Sequence, residues 1–343
     1  MAPIQGLTRF RSHQWGLQSS LNTLVPATRR LAMRGAIEIN PNWTERDVDS
    51  GSIDPTQSPY RVGSDVTATL TGELEFNHLP LFLNGGVRAG VTPTGAGTAK
   101  TWAHQALSLT ATALEPGFTD EWSDDVTTDV ITGIGGVFES LQFGFDETLG
   151  PWTFTAGARF AGFEYPGTQT PGLTVAADPA LVFGADTSLY IDDSSGSIGI
   201  TPISSAMRGA QISINNTLDL KRYANGSNAR FRIDGYGLAD REITATFRFE
   251  KTSQIVGSGS EVADWLNADP QTRFLRVLVT SQVLAQAATP YTWDQRFSGT
   301  WMSRTDSEIG GNSVVELMLR ARYSTALTYV YRSVVVNTRD VAP

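Results

Sequence analysis

The sequence has no cysteine, only three histidines, and no apolar run long enough to cross a bilayer as a helix. Without cysteine there is no disulfide, no thiolate nucleophile and no thiolate metal site, which fits a cytoplasmic origin. A spanning helix needs about 18 apolar residues, so no membrane insertion is expected. The opening residues, MAPIQ, lack the basic region and apolar core of a signal peptide, so none is expected.

Basic residues are also in short supply, because 26 Lys and Arg stand against 35 Asp and Glu, a net charge of −9. A surface that grips nucleic acid needs clustered Lys and Arg, which argues against such a surface. A protein that DNA passes without being bound is not excluded. The 343 residues, 40% hydrophobic and 18% charged, suit a soluble globular protein of about two domains.

Catalytic patterns are missing as well. His13 is assigned to an N-terminal arm, His78 to a strand–helix junction and His104 to a loop, and none has a second histidine at ligand spacing. The acidic run at residues 120–125 lacks the glycine spacing of a calcium loop and reads as a solvated charged face. We therefore predict no catalytic residue, no metal ligand, no cofactor and no enzymatic activity.

What the sequence does contain is a repeat. The tetrapeptide MRGA occurs at residues 33–36 and 207–210, a separation of 174 (207 − 33). It is followed by IEIN in the first copy and by QISIN in the second. Residues 66–70 return as 243–247 at an offset of 177 (243 − 66). Residues 134–136 return as 309–311, and residues 153–155 as 328–330, both at 175 (309 − 134). One domain built twice is the simplest interpretation.

The repeat divides the chain into five parts, which are an arm (1–32), copy 1 (33–165), a connection (166–205), copy 2 (206–336) and a tail (337–343). The arm is polar and has no clear helical or strand period, so we expect it to be mobile unless something outside the domain holds it. The connection is rich in Gly, Pro, Asp and Ser, with one strand-like piece at 181–191.

Both copies show the same order of elements. Copy 1 is predicted to have a strand at 36–43, a long loop at 44–60, an amphipathic strand from 65, a short helix at 80–85, and strands at 130–145 and 152–163. Copy 2 is predicted to have a strand at 210–220, a loop around 225–228, an amphipathic strand from 242, a helix entered by a capping box at 258–261, and strands at 314–323 and 327–336.

The amphipathic strands carry the clearest period-2 pattern. Their apolar positions are Val66, Ala68, Leu70, Leu74 and Phe76 in copy 1, and Ile243, Ala245, Phe247 and Phe249 in copy 2. The opposite side carries acids, namely Asp65, Glu73 and Glu75 in copy 1, and Glu242 and Glu250 in copy 2. Arg248 interrupts the second set and could pair with a neighbouring carboxylate. An acidic face either meets solvent or lines something.

This order of elements resembles the tail tube (major tail) proteins of siphophages, in the variant with a duplicated tube domain. The resemblance covers residues 33–336, and residues 16–29 (GLQSSLNTLVPATR) also resemble the start of many such bacteriophage proteins. It implies a mostly β fold of two tandem β-sandwich domains, each with one short α-helix, that contribute strands to an oligomeric β-barrel.

The resemblance further implies a structural protein of the virion tail, assembled in the cytoplasm of the host bacterium. Homotrimers would form pseudo-hexameric rings that stack into a helical tube, a conduit for genome ejection. Other partners would be the tape measure protein, further tail proteins, and double-stranded DNA that passes without specific binding. The five acids above would line the lumen. The long loops would lie at ring–ring contacts through Asp47, Asp49, Asp54, Asn225 and Asn228.

Two alternatives remain. A non-enzymatic binding or decoration protein built from two β-sandwich domains would share the duplication, but it would want exposed aromatic residues on one face, where Thr, Glu, Asp and Arg stand here. An outer-membrane barrel would share the alternating strands, but it needs a signal peptide and apolar outward bands with aromatic girdles, which the sequence does not show.

Overall fold

The chain is mostly β in a computed structural model that describes residues 11–44, 59–106, 114, 117–124, 129–176, 179–203, 206–223, 232–257, 259–267, 269 and 271–340. The first half contains β1 (Arg11–Leu17), β2 (Arg29–Leu31), β3 (Ile37–Thr44), β4 (Tyr60–Glu73), α1 (Leu79–Gly86), β5 (Lys100–Ala106), β6 (Phe118–Asp124), β7 (Val130–Phe145), β8 (Thr153–Phe160) and β9 (Gly162–Glu164). The second half contains β10 (Thr187–Asp192), β11 (Met207–Lys221), β12 (Gly235–Glu250), α2 (Glu261–Trp265), β13 (Arg273–Gln286), β14 (Thr289–Ile309), β15 (Asn312–Arg322) and β16 (Tyr331–Asn337).

Most predicted elements are present, but β13 and β14 were not predicted, and the counterpart of the β7–β8 pair is β14–β15 and not the predicted pair at 314–323 and 327–336. The described strands form one large antiparallel sheet, and the apolar positions of β4 and β12 are buried as the period-2 pattern requires. The last strand begins at Tyr331 and not at residue 327, because residues 324–329 form a turn closed by a bridge between Ser324 and Tyr329. The strand predicted at 152–163 is split into β8 and β9.

Both helices lie near their predicted positions. α1 has proline in its first turn, where the missing N–H costs nothing. α2 is capped by Ser260, whose hydroxyl accepts a hydrogen bond from the backbone N–H of Ala263. The predicted capping box began two residues earlier, at Ser258, which lies outside the described residues. In the described part of the chain no helix has the length and apolar character needed to cross a membrane.

Five strands of each half pair in the same order. β3, β4, β8, β7 and β6 lie side by side in the first half, as β11, β12, β15, β14 and β13 do in the second. The register of these pairs makes the following positions equivalent: Ile37 and Ile212, Ala68 and Ala245, Ala158 and Leu319, Phe138 and Trp301. The repeat is therefore present in the pairing and not only in the sequence.

The same irregularity also occurs in both long strands. The register shifts between Phe138 and Ser140 in β7, and between Trp301 and Ser303 in β14. Bulges of this kind bend a strand and change its partners. In β7 residues 130–136 pair with β6 and β9, while residues 137–145, which contain the shift, pair with β8 and β11.

The register corrects part of the sequence repeat. Equivalent residues are 175 apart in β3 and β11 (212 − 37), but only 161 apart in β8 and β15 (319 − 158). The two matches at 134–136 and 153–155 are therefore wrong. Residues 134–136 lie inside β7 and 153–155 inside β8, whereas Gly310 and Gly311 form the turn between β14 and β15, and residues 328–330 precede β16. Two glycines with positive φ suit that turn, and the resemblance to a strand glycine pair is accidental.

The two halves are joined edge to edge. β11 pairs antiparallel with the end of β7, from Ala210 opposite Phe145 to Asn215 opposite Ser140. The result is a continuous run of eight strands, β3-β4-β8-β7-β11-β12-β15-β14, which we call the eight-strand run. One face of the run is covered by α1 and by the remaining strands, through contacts such as Phe82 on Phe154 at 4.4 Å between ring centroids.

The N-terminal arm is the largest correction to the sequence analysis. Residues 11–17 form β1, which pairs along its whole length with β6, and residues 29–31 form β2, which pairs with β1. Trp15 is fully buried between Phe118 and Phe138, with centroid distances of 4.5 and 5.7 Å. The described part of the arm is thus a strand of the sheet and carries part of the core.

The acidic run was also misassigned, since Asp120 and Glu121 belong to β6 and are buried. Asp120 Oδ2 lies 2.9 Å from His13 Nδ1. Glu121 accepts hydrogen bonds from the backbone N–H groups of Ala27 and Thr170. These acids are buried because β1 and residue 170 provide partners for them, which a linear pattern does not show.

Candidate functional site

The uncovered face of the eight-strand run is the candidate site. On β4 and β12 it carries Asp65, Thr67, Thr69, Thr71 and Glu73, and Glu242, Thr244, Thr246, Arg248 and Glu250, opposite the buried apolar positions. Cross-strand neighbours extend it over the other six strands. We call this surface the polar face. At the seam between the halves it is concave, with a depression of about 510 Å³ lined by residues that include Glu73, Gln142, Gln211 and Arg248.

Four of the five predicted acids lie on the polar face at equivalent positions. Asp65 is opposite Asn40 on β3, and Glu242 is opposite Asn215 on β11. Glu73 and Glu250 occupy the last positions of β4 and β12. The duplication therefore places acids at the same positions along the strand in each half.

Arginines from neighbouring strands balance most of these acids. Glu242 pairs with Arg320 at 3.0 Å, and Glu250 pairs with Arg208 at 2.7 Å. Asp65 lies 3.4 Å from Arg222 and 3.9 Å from Arg159. In the described ranges Glu73 makes no ion pair. Sequence reasoning missed these arginines because an ion-pair partner across a sheet lies far away along the chain.

The sequence analysis suggested an ion pair between Arg248 and a neighbouring carboxylate, and the structure contains one. Arg248, the cation that interrupts the acidic pattern of β12, donates from Nε to Glu316 on β15 at 2.8 Å. The pair is exposed, so its contribution to stability is small, about 0–1 kcal/mol. Its consequence is electrostatic, since it cancels one positive charge on the polar face.

Glu75 does not belong to the polar face. β4 ends at Glu73, the chain turns, and Glu75 forms an isolated bridge with Leu181. Its side chain is buried, 4% exposed, with Oε2 3.3 Å from His78 Nδ1. Period-2 alternation holds only while a strand continues, so extending it beyond residue 73 placed this acid on the wrong side.

Burial raises the pKa of Glu75 to about 7, while the nearby Arg339 opposes the rise. Burial lowers the pKa of His78 to about 3, so this histidine is neutral near pH 7. The same cause lowers the pKa of His104 to about 3. His104 lies in β5 with Nε2 3.3 Å from Asn84 Oδ1, and not in the loop to which the sequence analysis assigned it.

Replacing Glu75 by Gln is expected to make stability less dependent on pH. A carboxyl whose folded pKa is raised stabilises the fold fully below its unfolded pKa of about 4.5, and this stabilisation is lost as pH rises through about 7. The shift corresponds to about 3 kcal/mol at 1.36 kcal/mol per unit. Because part of this stabilisation is already lost at pH 5, urea unfolding at pH 5 and pH 8 should show E75Q gaining about 2.5 kcal/mol on the wild type at the higher pH. The exposed control E147Q should follow the wild type, and an E75Q curve parallel to the wild-type curve would contradict the assignment.

The remaining site residues predicted from the sequence belong to the two long loops. The predicted ring-contact residues Asp47, Asp49, Asp54, Asn225 and Asn228 lie outside the described residues. Exposed aromatics lie beside these loops, with Trp43 near the end of β3, Tyr60 at the start of β4 and Tyr223 just after β11. Among the described residues, no three His, Asp or Glu side chains are grouped closely enough to hold a metal ion.

No protein-family model matches the chain, and no curated protein matches it. The function is therefore inferred from the geometry of the eight-strand run and its polar face.

Proposed function

We propose that the chain is a structural virion protein of a phage tail, and that its copies form stacked rings of the tail tube through which the genome is ejected. The observation that carries the proposal is the eight-strand run, in which two copies of one strand order are fused edge to edge. The fusion gives a sheet with one covered apolar face and one open polar face. Such a sheet, repeated around an axis, makes a closed wall.

The dimensions of such a wall suit DNA. Three chains of eight strands would give a barrel of 24 strands. At about 4.8 Å between strands and roughly 40° of tilt, this barrel is on the order of 45–50 Å across at the backbone. Side chains would occupy about 10 Å of that diameter, our allowance, which leaves room for a duplex of about 20 Å. A barrel of only eight strands would be filled by its own side chains.

The covered face supports two sandwich-type domains. In the first half β1, β6, β9 and the start of β7 pair with one another apart from the run, and in the second half β10, β13, β16 and the start of β14 do the same. Aromatic contacts between the layers, such as Phe118 to Phe160 at 5.7 Å, fill the space between them. Two layers around a core are the architecture that the resemblance implies.

The exposed aromatics support stacking of rings. Trp43 and Tyr60 flank the loop between β3 and β4, and Tyr223 follows β11 by two residues at the equivalent loop of the second half. Trp and Tyr are enriched at the anchor points of protein interfaces because they bury a large area. Contacts at both hairpins would bind one ring to the next. The same aromatics would serve the runner-up function, a decoration protein that binds another surface.

Electron microscopy of negatively stained, concentrated protein tests the proposal. Rings or tubes with an open centre are expected, together with a species of three times 37.1 kDa in light scattering at intermediate concentration. A protein that stays a 37.1 kDa monomer at every concentration, with no rings on the grid, would contradict the proposal and favour the decoration protein.

A further inference from the structure

Both ends of the eight-strand run have an edge without a partner. β3 pairs with β4 on one side only. The end of β14, residues 303–308, pairs with β15 on one side only, because β13 begins at Arg273, opposite Gly299. Within the described residues no strand pairs with the other side of either segment. Unpaired edges of this kind are templates for another strand.

The junction inside the chain shows what fits such edges. β7 is the counterpart of β14, and its end pairs with β11, which is the counterpart of β3. The shared bulge makes Ser140 equivalent to Ser303, and the hairpin register makes Asn215 equivalent to Asn40. Ser140 lies opposite Asn215 in the chain, so the repeat predicts Ser303 opposite Asn40.

We propose that β3 of a second copy of this chain pairs antiparallel with the end of β14, in the register of the internal junction. Asn40 would lie opposite Ser303, Glu38 opposite Thr305 and Ala36 opposite Ser307. This inference rests on the proposed function for its ring geometry and adds to it the two edges and their register.

The polar face continues across this contact without a break. At the internal junction Ser213 and Asn215 meet Gln142 and Ser140. At the proposed one Glu38 and Asn40 meet Thr305 and Ser303, so small hydroxyls again meet longer polar side chains. No two like charges lie directly opposite each other among these pairs.

On the covered side of the sheet, the proposed contact differs from the internal junction. β7 presents Leu141, Phe143 and Phe145 on that side, all buried. The equivalent positions of β14 are Arg304, Asp306 and Glu308, which lie opposite Leu317, Val315 and Ser313 of β15. Asp306 pairs with Lys251 at 2.6 Å and with Arg304 at 2.9 Å.

Charged side chains on an edge strand disfavour pairing with unwanted strands, and at the end of β14 Asp306 and Glu308 are exposed. Of the two free edges, the end of β14 carries these charges and β3 carries Ile37 and Ile39 at the matching positions, while the end of β7 that pairs inside the chain is apolar. The contact between copies is accordingly more polar than the internal junction and more sensitive to salt. These charges would keep a single copy soluble until it joins a ring.

Disulfide trapping tests the register cleanly, because the chain has no cysteine of its own. Two single variants, Glu38→Cys and Thr305→Cys, are mixed at a concentration where the protein assembles and are then oxidised. A dimer on a non-reducing gel is expected, since directly opposed residues bring Cβ atoms within about 5 Å. Each variant oxidised alone should give at least tenfold less dimer.

Two controls fix the interpretation. Gln142→Cys with Ser213→Cys in one chain copies the same geometry at the internal junction and should form an intramolecular disulfide. A mixture of Glu38→Cys and Ser307→Cys is displaced by two residues, about 7–8 Å, and should give at least tenfold less dimer than the matched mixture.

The outcomes separate this inference from the proposed function. Rings on the grid without the matched disulfide, while the internal control forms, would overturn the edge pairing and leave the tube standing. The matched disulfide without any ring or tube would support the edge pairing and contradict the tube. Absence of both rings and disulfide would overturn both.

Discussion

Replacing Trp15 by Ala is expected to lower the free energy of unfolding by about 3–5 kcal/mol, the range for large-to-small changes in a packed core. Trp15 is fully buried, stacked on Phe118 at 4.5 Å and edge-on to Phe82 at 5.5 Å. Its indole N–H finds no partner in the described structure, so the loss comes from packing and not from a hydrogen bond. Because β1 holds β2 and β6 together, the first half should unfold at lower denaturant.

Urea unfolding followed by far-UV circular dichroism measures this effect. Trp43→Ala removes the same side chain from a position that is 60% exposed, and it should change stability by less than about 0.5 kcal/mol. A Trp15→Ala variant as stable as Trp43→Ala would show that β1 is not part of the folded core.

The strand β1 was not predictable because its sequence does not look like a buried strand. RSHQWGL has polar residues at most positions, yet Ser12, His13 and Gln14 are buried. A hydrogen-bond partner offsets the cost of burying a polar group, and the partners of His13 and Ser12 come from β6 and from residue 169, more than a hundred residues away. β4 and β12, by contrast, have one apolar face, so alternation alone identified them.

The repeat was visible in the sequence only where the two copies keep the same loop length. Between β3 and β4 the offset changes by only two residues, so short matches were meaningful. Between the amphipathic strand and the later strand that pairs with it, the offset between equivalent residues falls from 177 (245 − 68) to 161 (319 − 158). The matches found there at an offset of 175 were therefore accidental. Pairing register and the shared bulge are properties of the backbone, and they preserve the equivalence after sequence similarity is lost.

The polar face was predicted from one strand of each half, which identified its acids and missed its bases. Arg208, Arg222 and Arg320 come from β11, the residue after it, and β15, and they approach the acids only through the sheet. The face is consequently less negative than a count along β4 and β12 suggests. Four of the five predicted acids remain on it, and among these four Glu73 is the one without an ion pair in the described residues.

If the polar face lines the proposed tube, replacing both Glu73 and Glu250 by Lys is expected to turn a wall that DNA passes without binding into one that binds it. Each substitution changes the charge by +2, and Glu250→Lys also frees Arg208, which is bound to it at 2.7 Å. DNA carries one charge per about 1.7 Å of duplex, and basic groups bind it by releasing counterions. Carboxylates act over about one Debye length, roughly 8 Å at physiological salt, so they keep a duplex off the wall.

The measurement is retention of a short fluorescent duplex by assembled tubes at 50 and 200 mM salt. Six new lysines per ring of three chains should give binding that weakens about 10³-fold between these salt concentrations, while the wild type should retain no duplex at either. Glu164→Lys with Asp269→Lys makes the same change of charge at exposed positions outside the polar face and serves as the matched control. Equal retention by both double variants would show that the polar face is not the wall of the channel. The lost ion pair is exposed, so folding should be unaffected within about 1 kcal/mol, and a thermal melt checks this before any duplex is added.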